Sequence, residues 1–413
     1  MMPWGRGEGG VEGETIPVSL AQPLGSAVSG GKSRIKLLYV ICYPKRWPQA
    51  ELSCSLLNRQ QFELSVILLH ASIPPLQAFL DSIDIPFSVV PFRGKRDLPR
   101  AVKQIYHHCK AHNIQIIHTH FMNACLSGLL AAKLAGVKVR IHTRHHAGPL
   151  PWSHRPPWGG LYDHWNNTLS SKIIAPSLIV EDTLVEIEGV TKQKVEVIYH
   201  GFRTAEFNNP IASDVGVLKE KYALTDGSGP TVGVVSRLES IKGVKYIITA
   251  FISLLNDFPR ARLVLANARG QLQQEVLQQL SDIDSDRYRC IEFEPDVVSL
   301  YSLFDIFIHV PTGLRMEAFG QVYVEALMAG VPSIFTRSGI AQEFDDAEPV
   351  AVYVDCKNSE QIYQGMLSLL QDTDKNSRLI KRGYHLSSQK FDITTMVERL
   401  QNLYQSELMS EVG

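Results

Sequence analysis

The chain has 413 residues, of which 45% are hydrophobic and 20% charged, and its formal net charge at pH 7 is −1. This length exceeds what one hydrophobic core usually organises, so two domains are expected, and the balanced charge excludes a general attraction to nucleic acid. The six cysteines stand singly, without metal-ligand spacing, and no apolar run approaches the length of a membrane span. We therefore expect a cytoplasmic protein with reduced thiols.

Residues 1–33 are rich in Gly, Ser and Pro and lack a continuous apolar stretch, which predicts a disordered extension rather than a signal peptide. Residues 34–205 then alternate apolar runs with helical patterns, which predicts a parallel α/β sheet covered by helices on both faces. The expected strands are Ile35–Cys42, Leu64–Leu69, Pro86–Val90, Ile114–His118, Val137–Thr143, Lys172–Ala175 and Val195–Tyr199.

Residues 206–229 contain Asn-Asn-Pro and Gly-Ser-Gly-Pro and predict a linker. A second array follows in residues 230–392, and a helical segment in residues 393–413 could pack back on the first domain. The pattern predicts two Rossmann-like domains whose parallel sheets face each other across a cleft. The strands of the second domain are expected near residues 231–235, 262–266, 288–293, 304–310, 332–335 and 350–354.

Histidines end two strands of the first domain, as His118 and His120 in one and as His145 and His146 in the next. They could form a metal site, but no carboxylate or cysteine stands at a suggestive spacing, so polar strand ends that touch substrate remain the alternative. The run Asp282-Ile-Asp284-Ser-Asp286 could also clamp a metal, yet its position before a strand is more typical of a solvated turn.

A cationic turn opens the second domain. The buried run Thr231–Val235 leads into Ser236-Arg237-Leu-Glu-Ser-Ile-Lys242-Gly243 and then an amphipathic helix. Open α/β sheets bind ligands at the carboxyl ends of their strands. Arg237 and Lys242 could therefore converge on one diphosphate, whereas two solvated surface cations are the plainer interpretation.

The most informative segment is Glu317-Ala-Phe-Gly-Gln-Val-Tyr-Val-Glu325. Its glycine lets a ligand approach the backbone at the start of a helix, where free N–H groups favour an anion. The two glutamates could accept hydroxyl hydrogen bonds on either side of that anion. A phosphate flanked by two polyhydroxyl groups describes a nucleotide-sugar; the alternative is an acidic helix start that is favoured by the helix dipole.

Together these motifs resemble the retaining glycosyltransferases of family 4, the group 1 type with GT-B architecture, over nearly the whole chain after residue 34. The resemblance implies a metal-independent hexosyltransferase without a cofactor, whose donor is a UDP-, GDP- or ADP-sugar. It also implies the site residues. The catalytic residues would be His145, Arg237, Lys242 and Glu317; the donor-binding residues would be Ser236, Phe319, Gly320, Gln321 and Glu325.

The expected acceptor is a hydroxyl of a glycan, a lipid or a small molecule, contacted by Glu51, His120 and Trp152. Trp152 belongs to a loop dense in Trp and Pro that is expected over residues 149–165. In membrane-acting relatives a basic surface of this domain contacts anionic lipid, so peripheral membrane contact is a further expectation, with a solvated helix face as the alternative. The basic residues here are Arg93, Lys95, Arg96, Arg100 and Lys103.

Three segments depart from the family pattern. Pro48-Gln49-Ala50-Glu51 replaces a Gly-Gly-x-Glu loop, Ala266-Asn267-Ala268-Arg269 replaces a Gly-x-Gly turn, and His200-Gly201-Phe202-Arg203 replaces Asn-Gly-Val-Asp, where only hinge geometry is expected to change. The lost glycines keep a non-catalytic nucleotide-sugar-binding protein open as an alternative. A nucleotide-sugar epimerase of the same fold is a second alternative. The sugar, the base and the acceptor have no motif of their own.

Overall fold

The computed structural model describes residues 34–42, 47–72, 74–148, 158–225 and 229–411. The extension predicted for residues 1–33 lies outside these ranges. The described chain forms two parallel sheets, of seven and six strands. They have the strand orders β3-β2-β1-β4-β5-β6-β7 and β10-β9-β8-β11-β12-β13, and helices cover their faces.

The first lobe is built on the seven-stranded sheet. Its strands are β1 (Ile35–Cys42), β2 (Phe62–His70), β3 (Phe87–Pro91), β4 (Ile116–His120), β5 (Val139–Thr143), β6 (Lys172–Ala175) and β7 (Val195–Val197). Its helices are α1 (Pro48–Leu56), α2 (Leu76–Ser82), α3 (Leu98–His112), α4 (Met122–Ala135), α5 (Trp158–Leu169) and α6 (Leu178–Asp182), and α6 continues into a π-helical turn over Thr183–Ile187.

The second lobe is built on the six-stranded sheet. Its strands are β8 (Thr231–Val235), β9 (Arg262–Ala266), β10 (Tyr288–Ile291), β11 (Ile306–His309), β12 (Ser333–Phe335) and β13 (Val352–Tyr353). The helices from the lobe boundary onward are α7 (Thr204–Asn208), α8 (Ala212–Lys221), α9 (Val244–Asp257), α10 (Gln273–Leu280), α11 (Val297–Tyr301), α12 (Gln321–Met328), α13 (Ser359–Gln371), α14 (Thr373–Lys390) and α15 (Ile393–Ser410).

Side chains alternate between two cores in the first sheet because successive residues of a strand point to opposite faces. Leu37, Tyr39 and Ile41 of β1 pack into one core, and Leu38 and Val40 pack into the other. Both faces of the sheet are therefore covered, which explains why the strands consist of nearly unbroken apolar runs.

The thirteen predicted strands are all present in the described residues, with ends that differ by up to two residues. β4 shows the consequence best: the sequence predicted Ile114–His118, but the strand is Ile116–His120, so His120 belongs to the strand itself. Asn113 explains the later start, since its left-handed backbone (φ 53°) ends α3.

The segment that the sequence assigned to a linker, residues 206–229, contains the helix α8. Leu218 of α8 and the following Leu224 are buried in a core of the second lobe. They anchor the segment to that lobe because burial in this core removes their apolar side chains from water.

The last helix, α15, packs on the first lobe. Its Met396, Leu400 and Tyr404 are buried in the same core as β1. The chain crosses between the lobes beside Phe202, whose backbone N–H bonds the carbonyl of Phe391 and whose carbonyl accepts from the N–H of Ile393. No helix in the described part of the chain is long and apolar enough to cross a bilayer.

Candidate functional site

A cleft of about 300 Å³ opens between the lobes at the carboxyl ends of β8 and β11. The connection after β8 leads to β9 on one side of the pair, and the connection after β11 leads to β12 on the other side. Doubly wound sheets bind ligands at this point, where the strand order reverses. The first lobe contributes His145 and His200 to the lining. The second lobe contributes Val235, Ser236, Arg237, Lys242, Asn267, His309, Glu317, Ala318, Phe319, Gly320, Gln321 and Val322.

The turn after β8 places two cations on the cleft, as the sequence indicated. Arg237 is half-exposed and donates to Oε1 of Glu239 at 2.6 Å. Lys242 ends a short 3-10 turn and is followed by Gly243, whose φ of 75° and position against the carbonyl oxygen of Val310 exclude any side chain. Both cations therefore face one space, although each is paired with a carboxylate.

Glu317 is the most constrained carboxylate of the cleft. Its Oε1 accepts from Nζ of Lys242 at 2.5 Å and from Nε2 of His309 at 2.9 Å. Burial alone would raise the pKa of Glu317, but the ammonium of Lys242 and the His309 hydrogen bond outweigh burial and hold the pKa at about 2. Glu317 is therefore an anion at neutral pH.

His309 is a site residue that the sequence did not indicate. It ends β11, is 2% exposed, and lies edge-on to the ring of Tyr323 with 4.7 Å between centroids. Burial lowers its pKa despite Glu317, so the neutral ring donates through Nε2. Its Nδ1 is buried and has no hydrogen-bond partner among the described residues. A polar residue that ends an apolar strand just before Glu317 was the available signal.

The start of α12 faces the cleft through Phe319, Gly320 and Gln321. Gly320 has φ 84°, and a Cβ there would lie 2.5 Å from the ring of Tyr323, so only glycine fits this turn. The side chain of Phe319 points away into the lobe boundary, with its ring 5.0 Å from His200 and 5.6 Å from Phe391. The free end of a helix at this turn suits an anion.

Glu325 lies one turn further along α12 and does not line the cleft. Its Oε2 accepts from the hydroxyl of Tyr301 at 3.0 Å. Burial raises the pKa of Glu325 to about 7, and the Tyr301 hydrogen bond opposes that shift only in part. The two glutamates of the motif thus have different environments, although the sequence predicted that both accept hydroxyl hydrogen bonds.

His145 forms the wall of the first lobe. Its ring stacks on Phe121 at 4.6 Å and lies parallel to His200 at 6.2 Å, and its Nε2 lies 3.4 Å from Nδ1 of His120. Burial and the neighbouring histidines hold its pKa well below the usual range, so the ring is neutral. His146 points instead towards Asp163, with 3.2 Å from Nε2 to Oδ2.

His200 was assigned only to hinge geometry, yet it lines the cleft with His145. Burial lowers the pKa of His200 to about 4, which keeps this ring neutral as well. The fold of the first lobe brings His200, which follows β7, beside His145, which follows β5, although 55 positions separate them in the chain.

A smaller cavity of about 30 Å³ lies behind His145 in the first lobe. Trp47, Gln49 and His120 line it, and Oε1 of Gln49 is buried without a hydrogen-bond partner among the described residues. Glu51, predicted for the acceptor side, is in α1 and lines neither cavity. Trp152 lies outside the described residues.

Two further predictions can be placed. The segment from Trp158 onward is helical, so the loop expected over residues 149–165 is wrong for its last part. Asp284 accepts from the N–H of Asp286 at 3.1 Å, as in a solvated turn. Within the described ranges, no group of three or more His, Cys, Asp and Glu side chains is arranged to hold a metal ion.

Of the basic residues expected at a membrane, Lys95 lies over the ring of Tyr162, with 4.7 Å from Nζ to the centroid. This contact joins the 3-10 turn before α3 to α5. Contact with anionic lipid stays a prediction.

Comparison with known families divides the chain between the lobes. Residues 53–206 match the family described as Glycosyltransferase Family 4, and residues 219–386 match Glycosyl transferases group 1. The first match ends after β7, and the second includes both Arg237 and the Glu317–Glu325 motif.

The chain is 22% identical over 250 residues to the mannosylfructose-phosphate synthase of Agrobacterium fabrum, which covers 58% of this chain and 54% of that protein. It is 25% identical over 213 residues to the GDP-mannose-dependent monoacylated alpha-(1-6)-phosphatidylinositol monomannoside mannosyltransferase of Corynebacterium glutamicum, covering 50% and 55%. The chain thus spans about half the length of these two curated relatives.

Solved structures show the fold. Anabaena Alr3699/HepE in complex with UDP-glucose superposes with a TM-score of 0.76 at 21% identity, over 90% of this chain and all of that one. A putative UDP-N-acetylglucosamine 2-epimerase from Listeria monocytogenes superposes with a TM-score of 0.63 at 15% identity, over 91% and 96%. The architecture is GT-B, as predicted.

Proposed function

This chain belongs to the group 1 and family 4 glycosyltransferases, and from that premise we propose that it transfers a sugar from a UDP-, GDP- or ADP-sugar to a hydroxyl acceptor with retention of anomeric configuration. The relatives named above include a synthase and a GDP-mannose-dependent mannosyltransferase, and one structural neighbour holds UDP-glucose. The acceptor is a glycan, a lipid or a small molecule.

The observation that carries the proposal is the convergence of Arg237, Lys242 and Glu317 on one cleft beside the start of α12. The diphosphate of the donor lies against the two cations and the backbone of Phe319–Gln321. As the bond from the anomeric carbon to the diphosphate breaks, charge develops on the departing oxygen, and fixed cations stabilise that charge. Arg237 and Lys242 are these fixed cations, so the reaction proceeds without a metal.

The donor sugar lies between Glu317 and His145. Glu317 is fixed as an anion and accepts a sugar hydroxyl. The nucleoside extends along α12 beyond the cleft lining, where Glu325 accepts the ribose hydroxyls beside Tyr301. The acceptor oxygen bonds to the anomeric carbon on the side of the leaving group and passes its proton to the departing diphosphate oxygen, which leaves with the electron pair of the broken bond. Neutral His145 donates to the sugar as this charge redistributes.

Closure of the lobes completes the site because the donor groups lie on the second lobe and His145 lies on the first. A closed cleft excludes water, which would otherwise hydrolyse the donor. His200 and Phe319 pack together at the lobe boundary, with their ring centroids 5.0 Å apart.

The test has two steps. UDP, GDP and ADP and their sugars are screened by thermal shift, since a ligand that binds the native state raises the melting temperature by mass action. The responding sugar nucleotide is then incubated with glycan, lipid and small-molecule acceptors, and the anomer of the product is read by NMR. We expect a glycosylated product with the donor's anomeric configuration.

Two outcomes would contradict the proposal. A new sugar nucleotide formed without acceptor would make the protein an epimerase. Donor binding without nucleotide release with any acceptor would make it a non-catalytic binding protein.

A further inference from the structure

The loop between β11 and α12 carries Glu317 and contacts the first lobe on both sides of that residue. Two residues before Glu317, the guanidinium of Arg315 pairs with the carboxylate of Asp182, and its Nε donates to Oγ1 of Thr183 at 3.2 Å. One residue after Glu317, the carbonyl of Ala318 accepts from the hydroxyl of Ser177. The position of Glu317 is thus tied to the other lobe.

Thr183 passes this contact on to the loop of His145. Its hydroxyl accepts from Arg315 and is also a donor, with its proton shared between the carbonyl of Ala147 at 2.6 Å and that of Ile179 at 2.8 Å. One hydroxyl can do both because it has one proton and two lone pairs. Ala147 is two residues beyond His145 and is buried, as is Thr183.

Packing supports the same connection. A Cβ added at Gly148 would lie 3.2 Å from Cβ of Arg315, so the His145 loop runs directly against the Arg315 side chain. Thr183 begins the π-helical turn Thr183–Ile187, a geometry that often marks functional positions. Arg315 therefore touches the His145 loop through packing and through Thr183.

We propose that Arg315 is a positioning residue for glycosyl transfer: through Thr183 and Ala147 it sets His145 opposite Glu317. The inference rests on the proposed function, since the two groups it aligns are those that hold the donor sugar. It assigns to Arg315 no contact with donor or acceptor. The donor diphosphate is bound by the second lobe, and Arg315 determines how the first lobe meets the donor sugar.

The expected signature is a loss of turnover without a loss of donor affinity. The Arg315 and Asp182 side chains are 31% and 44% exposed, and partly exposed ion pairs contribute little to stability. Misplacement of reacting groups by about 1 Å, in contrast, lowers rates by about a hundredfold. The contact therefore affects alignment more than folding.

The test compares Arg315→Met, which keeps an unbranched apolar stem, with Arg315→Lys and with the control Arg399→Met. Arg399 also joins distant segments, since it pairs with Glu196 at 3.1 Å from α15 to β7. We expect Arg315→Met to lower kcat by about ten- to a hundredfold, with the dissociation constant of the nucleoside diphosphate within about twofold of wild type. Arg315→Lys should recover part of kcat, and Arg399→Met should retain it.

Thr183→Val tests the route. Because both residues act through one contact chain, Arg315→Met combined with Thr183→Val should lose no more kcat than the larger single effect. If the kcat losses of the two single variants multiply in the double variant, the proposal is overturned. A normal kcat in Arg315→Met would also overturn it. A donor dissociation constant that rises in parallel with the fall in kcat would make Arg315 a binding residue and would also overturn it.

A second measurement is independent of activity. Spin labels at the exposed positions Leu134 of the first lobe and Leu277 of the second, in a background with Cys290→Ser and Cys356→Ser, report the distance between the lobes. We expect a single narrow distribution in the otherwise wild-type protein and a broader one with Arg315→Met. An unchanged distribution overturns the proposal. A protein with narrow distances that processes no sugar nucleotide contradicts the proposed function instead.

Discussion

Nζ of Lys242 lies 2.5 Å from Oε1 of Glu317, so the cation assigned to the donor diphosphate is paired with the carboxylate assigned to the donor sugar. Both side chains are nearly buried, with 14% and 11% of their surfaces exposed. The incoming diphosphate therefore meets an ammonium whose position is already fixed, which reduces the reorganisation that the transition state requires.

The first prediction concerns this cationic turn. Replacing both cations, Arg237→Ala with Lys242→Ala, should lower kcat by about a thousandfold or more, because the leaving diphosphate then lacks its charge partners. Steady-state kinetics measure the effect, and circular dichroism checks that the fold persists. Turnover close to wild type would refute the assignment.

Lys242→Met should also destabilise the protein, because it leaves the buried carboxylate of Glu317 without its main partner. Breaking a buried ion pair costs about 3–5 kcal/mol, and the exposed fraction here suggests the lower end. Urea unfolding at pH 7 measures the loss. Adding Glu317→Gln should restore much of the stability, since no buried charge remains; a double variant as unstable as Lys242→Met would argue against this explanation.

His145→Ala should lower kcat by about a hundredfold while the donor dissociation constant changes little, since contacts made in the transition state affect the rate. The matched control is His146→Gln, whose amide can still donate to Asp163 and which should keep near-normal turnover. Kinetics and donor titration on both variants decide the point. Normal kcat in His145→Ala would remove it from the mechanism.

Glu325 should make stability depend on pH. Its native pKa of about 7 lies above the ordinary value of 4.5, so the native state binds more protons than the unfolded state between these values. Stability from this group is present below about pH 4.5 and declines as pH rises through 7. Glu325→Gln should therefore be more stable than wild type at pH 8, by up to about 3 kcal/mol.

The comparison is made by urea unfolding of wild type and Glu325→Gln at pH 5 and pH 8. The difference between the two proteins should be small at pH 5 and larger at pH 8. An equal difference at both values would mean that Glu325 is not the titrating group.

The last prediction concerns α15. The hydroxyl of Tyr404 lies 2.9 Å from that of Tyr39 and 2.6 Å from Nδ1 of His118, all of them buried. Tyr404→Phe leaves these partners unpaired and should lower the free energy of unfolding by about 1–3 kcal/mol. Tyr363→Phe is the control, because its exposed bond to Asp257 should cost much less. Equal effects of the two changes would contradict the importance of the buried network.

The sequence was informative wherever structure is decided by neighbours in the chain. Unbroken apolar runs such as Thr231–Val235 predicted the parallel strands, because strands buried on both faces must be apolar throughout. Gly320 could be predicted at the turn because a left-handed backbone favours glycine. The cations of the β8 turn could be predicted as ligand-facing because ligands bind at the strand ends of such a sheet.

Only the tertiary structure decided which distant side chains share an environment. In the structure His200 lies beside His145, and His309 donates a hydrogen bond to Glu317. Gln49 lines the small cavity, whereas Glu51 does not. Trp158 is the first residue of a helix rather than part of a loop. The tertiary structure also gives the two glutamates of the motif different pKa values. The ammonium of Lys242 lowers the pKa of Glu317, whereas burial raises the pKa of Glu325. Burial and charge act through space, over contacts that local pattern does not encode.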